Sequence, residues 1–512
     1  MKMKLKKWLS LLLGLLLLVV PLAACSSGKN PETPSGSKTD AGETEAPTDP
    51  VETADPNTIP DLPSDLDFKG KTIRILTRQN RNRYQEWGSN GVLDDKADDI
   101  DEQVYYRNVE IQKKLNVEFD ITHATVHDND LNAWLQSTAL LNDSFDIISN
   151  KAYQSVSSEL LGYYMNLYDV ENLNLNKSYW NQTFISAGTV NDHLYTVVGD
   201  MNISVYMTMF CMFFNINKCE AQGEGWSMDE IFDVALQGDW TWEKFASYVK
   251  DAEVDLGAEK PVYAFYSHTY SQAYDGLLQS FELNLVSTDP DDGTHTLVAG
   301  TRYEKLQNAT KAVYDLYSNT NVKLDTSGYG SGEYNLFDAG EALFSIECVN
   351  DAQNRKNANL TDEYGLLPLP KYEADGTANY YTGLQDSHNV ISVVKGRSNY
   401  AAIGAVLELL SAYSYEGIRP YYVNTLAKQK YLDNLKSQKV MDLILDGARW
   451  DFAAIYAAYL PNRDGNAPHM ALWRGGCQHG NTAYRYEQHK DTWNKLLKQF
   501  DADEHFARKS AS

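Results

Sequence analysis

From Asp67 onward, short apolar runs alternate with stretches whose apolar residues recur every three or four positions. Residues 72–77 (TIRILT) alternate and predict a strand. Val104, Asn108, Ile111 and Leu115 then share a helical face, and Val117, Phe119 and Ile121 alternate strictly as a second strand. Leu131, Trp134, Leu135, Thr138 and Leu141 predict another helix, and residues 145–149 (FDIIS) a third strand. The order β-α-β-α-β predicts a parallel sheet with helices on its faces, an α/β architecture.

The middle of the chain repeats this theme less regularly. Residues 194–198 and 205–214 predict two strands, the second apolar on both faces as a central strand is. Between them lies a polar break, Gly199-Asp200-Met201-Asn202. Thr241 is placed to cap a helix whose Trp242, Phe245 and Val249 share a face. Residues 303–317 predict a helix, with Leu306, Val313 and Leu316 inward, and 342–347 a strand that ends at Asn350-Asp351. Residues 365–370 (GLLPLP) read as a short extended connector, 389–394 as a strand and 401–410 as an apolar helix; from Tyr421 the pattern is mainly helical. No internal repeat is visible.

The first 65 residues follow other rules. Lys2, Lys4, Lys6 and Lys7 precede an apolar stretch of 13 residues, 9–21. That is shorter than the roughly 20 residues a membrane-spanning helix needs. Small residues then lead into a cysteine, Leu22-Ala23-Ala24-Cys25, which resembles the bacterial lipobox. The resemblance implies a signal peptide over 1–24, cleavage before Cys25 and thioether lipidation (with palmitate among the acyl chains) of that residue. Residues 26–65 hold seven of the fifteen prolines, nine acids and two lysines. They cannot bury enough apolar area to offset their ordering entropy, so 25–66 is expected to be the lipidated cysteine and a disordered acidic linker.

Composition narrows the partners. The 512 residues carry 45 Lys+Arg against 70 Asp+Glu, a formal charge of −25. Without the four leader lysines the balance is −29. Such a surface repels phosphate backbones, so no nucleic-acid partner is expected. At 43% hydrophobic and 12% aromatic residues, the chain is too apolar for disorder. About 450 residues are too many for one core, so two or more lobes are expected. Five cysteines do not make a disulfide scaffold.

Five segments then resemble the extracellular solute-binding lipoproteins of bacterial ABC importers, of the carbohydrate-binding, maltose-binding-protein-like type. They are Asn191-Asp192-His193-Leu194-Tyr195, Met212-Phe213-Phe214-Asn215-Ile216-Asn217-Lys218, Gly238-Asp239-Trp240-Thr241-Trp242-Glu243-Lys244-Phe245, Phe337-Asp338-Ala339-Gly340-Glu341-Ala342-Leu343-Phe344 and Tyr364-Gly365-Leu366-Leu367-Pro368-Leu369-Pro370. Two departures stand out: Asp192 replaces the family's glycine, and Cys348-Val349-Asn350 replaces its aromatic residue.

The resemblance implies a two-lobed, type II periplasmic-binding-protein-like α/β fold with discontinuous lobes and a hinge. Lobe 1 would take 67–198 and 370–418, and lobe 2 would take 199–369 and 419–512. Crossings are expected near 198–202, 365–370 and 415–420. The implied protein is a monomer outside the cell, held to the membrane through its lipid anchor. It would deliver a carbohydrate, most simply an oligosaccharide, to the permease subunits of an ABC importer.

The residues select a site independently. Ligands of open α/β sheets bind beyond the carboxyl ends of the strands. There the sequence offers Arg78, Gln79 and Asn80, then Asn150, Lys151 and Tyr153, then Asn350 and Asp351, with Asp200 and Asn202 at the polar break. Amides, single charges and rings match the hydroxyls and C–H faces of a sugar. Trp450 and Trp473 join them because they lie in irregular polar stretches, whereas Trp240 and Trp242 are expected to pack at a helix start. The candidate ligand set is thus Arg78, Asn80, Asn150, Tyr153, Asp200, Asn202, Asn350, Asp351, Trp450 and Trp473.

No catalytic motif, metal site or cofactor is expected. Gly70-Lys71-Thr72 lacks the upstream glycine of a phosphate loop, and the ten histidines show no zinc spacing. The acids between Asp94 and Glu102, and those of Asp289-Pro290-Asp291-Asp292-Gly293, read as solvated faces, with structural Ca²⁺ the alternative. Cys211 is expected to be a buried thiol, Cys219 being its potential bridge partner; Cys348 and Cys477 are unassigned. Three alternatives stay open: a surface glycoside hydrolase, with two carboxylates about 5–9 Å apart, a carbohydrate-binding adhesin, and a receptor for a peptide or another small polar solute.

Overall fold

The computed structural model describes residues 55–78, 86–88, 93, 99–127, 130–135, 137, 144–159, 161–268, 274–325, 335–352, 361–424 and 435–506. The chain divides into Met1–Thr53 and Ala54–Ser512, and every described residue belongs to the second unit. The leader, Cys25, most of the linker, Gln79, Asn80 and the acids Asp94, Asp95 and Asp98 lie outside the described residues.

Two separate sheets organise the fold. The first has the order β11-β3-β1-β2, from β1 (Lys71–Thr77), β2 (Val117–His123), β3 (Ile147–Lys151) and β11 (Asn389–Val393). β1 runs parallel to both β2 and β3, with Ile73 beside Phe119 and Ile75 beside Ile147. β11 returns antiparallel along β3. Helix Tyr400–Tyr413 packs on β1 and on helix Asp99–Leu115. Its one buried acid, Glu408, accepts from Tyr179 Oη at 2.5 Å, Trp180 Nε1 at 3.1 Å and the Asn174 amide at 3.1 Å. Three donors on one carboxylate explain how a charge-bearing side chain stands inside an apolar helix face.

The second sheet has the order β10-β4-β9-β5-β8, from β4 (Phe210–Asn215), β5 (Tyr263–His268), β8 (Val322–Asp325), β9 (Ala342–Cys348) and β10 (Tyr364–Leu367). β4 and β9 are buried along their whole length, which accounts for their unbroken apolar runs. A hairpin of β6 (Val286–Thr288) and β7 (His295–Leu297) stands apart, closed by the Asp289–Gly293 turn. There Asp289 accepts from the Asp291 amide at 2.8 Å and Asp292 from the Thr294 amide at 2.9 Å, so these acids order a turn. Asp99, Asp101 and Glu102 sit in the first turn of helix Asp99–Leu115, where its dipole favours negative charge. Among the described residues no cluster of three metal-ligating side chains occurs. Cys211, Cys219, Cys348 and Cys477 are all buried free thiols.

Several expectations need correction. Residues 205–214 are not one strand: Ile203–Met207 forms a helical turn and β4 starts only at Phe210. A buried apolar run has no periodicity that separates the two, and the turn is fixed from outside, by a carboxylate on the Ser204 amide. Residues 194–198 make only the isolated pairing Val197–Ile391 beyond β11. Residues 365–370 are no crossing, because β10 belongs to the second sheet. The chain stays there through Lys371, whose amide bonds Trp240 O, and Tyr380, whose hydroxyl donates to Ala235 O at 2.7 Å. It moves to the first sheet between Thr382 and Asn389, so the boundary expected at 370 falls later.

The C-terminal segment holds to both sets of elements. His295 pairs with Asp501 at 2.6 Å on the hairpin side. Tyr456 Oη donates to Gly188 O at 2.6 Å, and Asn191 Nδ2 to Phe506 O at 2.9 Å, on the first-sheet side. Residues 419–512 are therefore not the property of one half.

Gly238 shows how tightly one of the resembling segments is held. Its φ is +87°, it follows helix Met228–Leu236, and a Cβ there would lie 1.9 Å from Thr377 O. Gly238→Ala is expected to lower stability by at least about 2 kcal/mol in urea unfolding. A variant as stable as the parent would contradict this close approach.

Candidate functional site

The chain passes between its two sheets at residues 199–209 and 382–389, and a buried carboxylate joins the two passages. Glu86, fully buried, accepts from the Ser204 amide at 2.8 Å, Ser204 Oγ, Asn202 Nδ2 at 3.3 Å and Asn389 Nδ2 at 2.9 Å. The Asn389 amide in turn donates to Ser204 Oγ at 3.0 Å. Burial pushes the Glu86 carboxyl upward, opposed by its hydrogen bonds from Ser204, Asn389 and Asn202. Arg107 braces the same loop, donating to Glu86 O at 2.7 Å and to Ser414 Oγ at 2.9 Å, at the start of a third passage from helix Tyr400–Tyr413 to helix Leu435–Asp446, which packs on β10. Arg78 completes the network through Asn389 Oδ1 at 3.0 Å and Ser387 O at 2.6 Å.

Beside these passages lies a groove. One cavity of about 220 Å³ is lined by Trp180, Asn181 and Thr183 from the first-sheet side, by Asp200, Tyr206 and Met209 from the first passage, and by Arg419 and Asp446. A second, of about 420 Å³, shares Arg419, Leu445 and Asp446 and adds Tyr415, Glu416, Asn424 and Asp442. Tyr206 Oη donates to Asp200 Oδ1. The Arg419 guanidinium stands 3.8 Å from the same carboxylate, over the rings of Tyr206 at 5.9 Å and Tyr415 at 5.5 Å. Burial raises the Asp200 carboxyl to about 6, with Arg419 and Tyr206 working against the rise. Such a wall offers carboxylate and amide acceptors, guanidinium and phenol donors, and ring faces.

The predicted residues separate into groups. Asp200 lines the groove. Arg78 and Asn202 meet in the Glu86 network. Asn150 is buried, its carboxamide turned to Asn132 Oδ1 at 3.1 Å and to the Lys151 amide at 2.8 Å. Asn350 and Asp351 are buried where β9 ends beside the first passage; the Asn350 amide bonds Met207 O and Asp351 accepts from the Cys348 amide. Tyr153 belongs to helix Ala152–Glu159.

The two tryptophans are packing residues. Trp473 is fully buried, its indole donating to Tyr274 O at 2.7 Å beside Phe281, so it is a core residue and not part of a cleft wall. Trp450 packs edge-on against Phe184 and donates to His388 Nε2 at 3.0 Å. Trp240 and Trp242 are buried as expected.

Glu86, Tyr206, Arg419 and Asp446 escaped the sequence reading. Arg419 carried a signal, the lone cation in the tyrosine-rich run Tyr415-Glu416-Gly417-Ile418-Arg419-Pro420-Tyr421-Tyr422. Glu86 carried none, since the partners of its carboxylate are 116 or more residues away.

No family model matches the chain, and no curated protein matches it. Solved structures do. The sugar-binding protein MalE from the phytopathogen Xanthomonas citri is 12% identical, over 84% of this chain and 98% of its own, with a TM-score of 0.56. The cyclic α-maltosyl-1,6-maltose binding protein from Arthrobacter globiformis is 14% identical, over 84% and 100%, with a TM-score of 0.52. UgpB from Mycobacterium tuberculosis, in complex with glycerophosphocholine, is 11% identical, over 78% and 95%, with a TM-score of 0.51. At such identities the likeness is one of fold: the chain has the mixed α/β, type II periplasmic-binding-protein-like fold.

His388, in the second passage, supplies a pH test. Its Nδ1 donates to Gln385 O at 2.9 Å and its Nε2 accepts from Trp450, so the ring is neutral. Burial lowers its pKa to about 4, the Gln385 carbonyl opposing. A depressed histidine contributes stability in full above its unfolded value of about 6.5 and loses it as pH falls toward 4. The stability advantage over His388→Gln is expected to shrink by about 1.4 kcal/mol per pH unit across that window. An advantage that stays constant from pH 7 to 4.5 would contradict the buried neutral ring.

Proposed function

We propose that this chain is an extracellular solute-binding receptor that captures a carbohydrate and presents it to the permease of an ABC importer. The groove beside the chain passages carries this reading. Its wall of carboxylates, amides, one guanidinium and tyrosine rings is the complement of a polyhydroxylated solute. The fold gives support, since it is shared with sugar-binding proteins from Xanthomonas citri and Arthrobacter globiformis.

The division of labour follows from the two sheets. A solute that touches groups from both sides favours the closed arrangement, whereas one that touches a single side shifts nothing. Lobe 1 is assigned the first sheet with helix Tyr400–Tyr413, and lobe 2 the second sheet, with the C-terminal segment common to both. No covalent step is assigned to the groove; its residues bind and orient.

The lysine-led apolar leader and Leu22-Ala23-Ala24-Cys25 support lipidation of Cys25, with the segment before Asp55 as the tether. Residues 55–66, expected in the disordered linker, are instead held to the fold, Lys177 Nζ donating to Asp61 at 2.7 Å and the Ser178 amide to Asn57 O at 3.0 Å. Among the described residues no helix is long and apolar enough to cross a membrane.

Two outcomes follow. In thermal unfolding of the purified full-length chain against neutral mono- and oligosaccharides, one sugar at a hundred times its Kd should stabilise by about 2.7 kcal/mol and be recovered intact. Its recovery as hydrolysed product would contradict a receptor. Cys25→Ser should release the protein from the membrane fraction into the medium, and full retention of that variant would remove the anchor.

A further inference from the structure

The Arg419 guanidinium is the least explained polar group in the groove. Its side chain is 32% exposed, it lies over two tyrosine rings, and among the described residues it donates no hydrogen bond. A planar fork of five N–H donors held in place by stacking, yet with no acceptor among the described residues, is positioned to meet a solute. Its nearest charge is the Asp200 carboxylate at 3.8 Å, beyond hydrogen-bond length. One carboxylate oxygen, Oδ1, is already held by Tyr206 Oη.

The two members of this pair come from different passages. Asp200 lies in the first, and Arg419 follows the third, just past helix Tyr400–Tyr413. Both line the 220 Å³ cavity, and Arg419 also lines the 420 Å³ one.

We infer that Arg419 and Asp200 together form the specificity-determining clamp of the groove, which takes a neutral hydroxyl-bearing solute and discriminates against its anionic counterpart. The inference rests on the carbohydrate reading and adds the charge class of the solute. A hydroxyl is both donor and acceptor, so it satisfies both members at once: its O–H donates to the Asp200 carboxylate while its oxygen accepts from the guanidinium. Vicinal hydroxyls engage the fork in two places. An anionic solute offers acceptors only. It must compete with Asp200 for Arg419, and it meets Asp446 on the same wall, where the described residues offer no second cation. The pair also links two passages, so a hydroxyl that bridges it ties both segments of chain to one solute.

The test is calorimetry on the purified full-length chain. A panel of neutral mono- and oligosaccharides identifies the tightest binder, which is then compared with its analogue carrying a carboxylate in place of one primary alcohol. Wild type should bind the neutral sugar at least tenfold more tightly than the uronate. Arg419→Met should weaken the neutral sugar at least tenfold and Arg419→Lys by less, with both variants still unfolding cooperatively, because among the described residues Arg419 donates no hydrogen bond. Asp200→Asn should narrow the preference for neutral sugar over uronate. Wild-type affinity for a sugar that Arg419→Met retains in full, or equal affinity for the uronate, overturns the clamp and leaves the carbohydrate reading standing. Failure of wild type to bind any sugar of the panel overturns both.

Discussion

A carboxylate with no solvent contact organises the meeting point of the two sheets. Glu86 accepts from the first passage through Asn202 and Ser204 and from the second through Asn389. Arg107, anchored to the same loop and to Ser414, brings in the third. A buried charge is tolerated only when its lone pairs are filled and a counter-charge is near. Here the groups that fill them all belong to the segments that carry the chain from one sheet to the other. Satisfying one side chain therefore ties the first two passages together, and Arg107, bonded to Glu86 O and Ser414 Oγ, adds the third. The Glu86 carboxylate also sets the helical turn Ile203–Met207, and with it the direction in which Tyr206 faces Asp200.

Around this point, stiffness and freedom are unevenly shared. The C-terminal segment joins both sides through directional bonds, His295–Asp501 to the hairpin and Tyr456–Gly188 to the first-sheet side. The groove wall is held more loosely: Arg419 is fixed by stacking over Tyr206 and Tyr415, with no hydrogen bond among the described residues. A binding protein needs that contrast. Passages must keep their register while the groups facing the solute keep donors and acceptors in reserve, since any group fully satisfied by the fold has nothing left to offer a ligand.

The periodic elements were legible. The alternation at Val117, Phe119 and Ile121 became β2, with these residues inward, and Thr241 caps helix Trp242–Asp251 through the Lys244 amide at 3.2 Å. Local rules suffice where one face is buried and one is wet. They fail at 205–214, where all but Met207 is buried and the distant Glu86 carboxylate holds the helical turn. The strand-end rule selects residues without revealing their depth in the fold. Arg78, Asn150 and Asn202 are near the passages, but their side chains serve the fold. Polar residues at strand ends must satisfy buried backbone before they can serve a solute, and sequence does not reveal which task each takes. The tryptophans misled for a related reason: irregular polar surroundings in sequence, around Trp473, fold into a dry core.

The proposed receptor works mechanically, a solute drawing the two sheets together about these passages. Double electron–electron resonance tests it most directly, with spin labels at two exposed positions, Val109 on the helix beside the first sheet and Tyr314 on helix Gly300–Tyr317. The saturating sugar should shift the distance distribution to a shorter, narrower one. A distribution that is the same with and without bound sugar would contradict it.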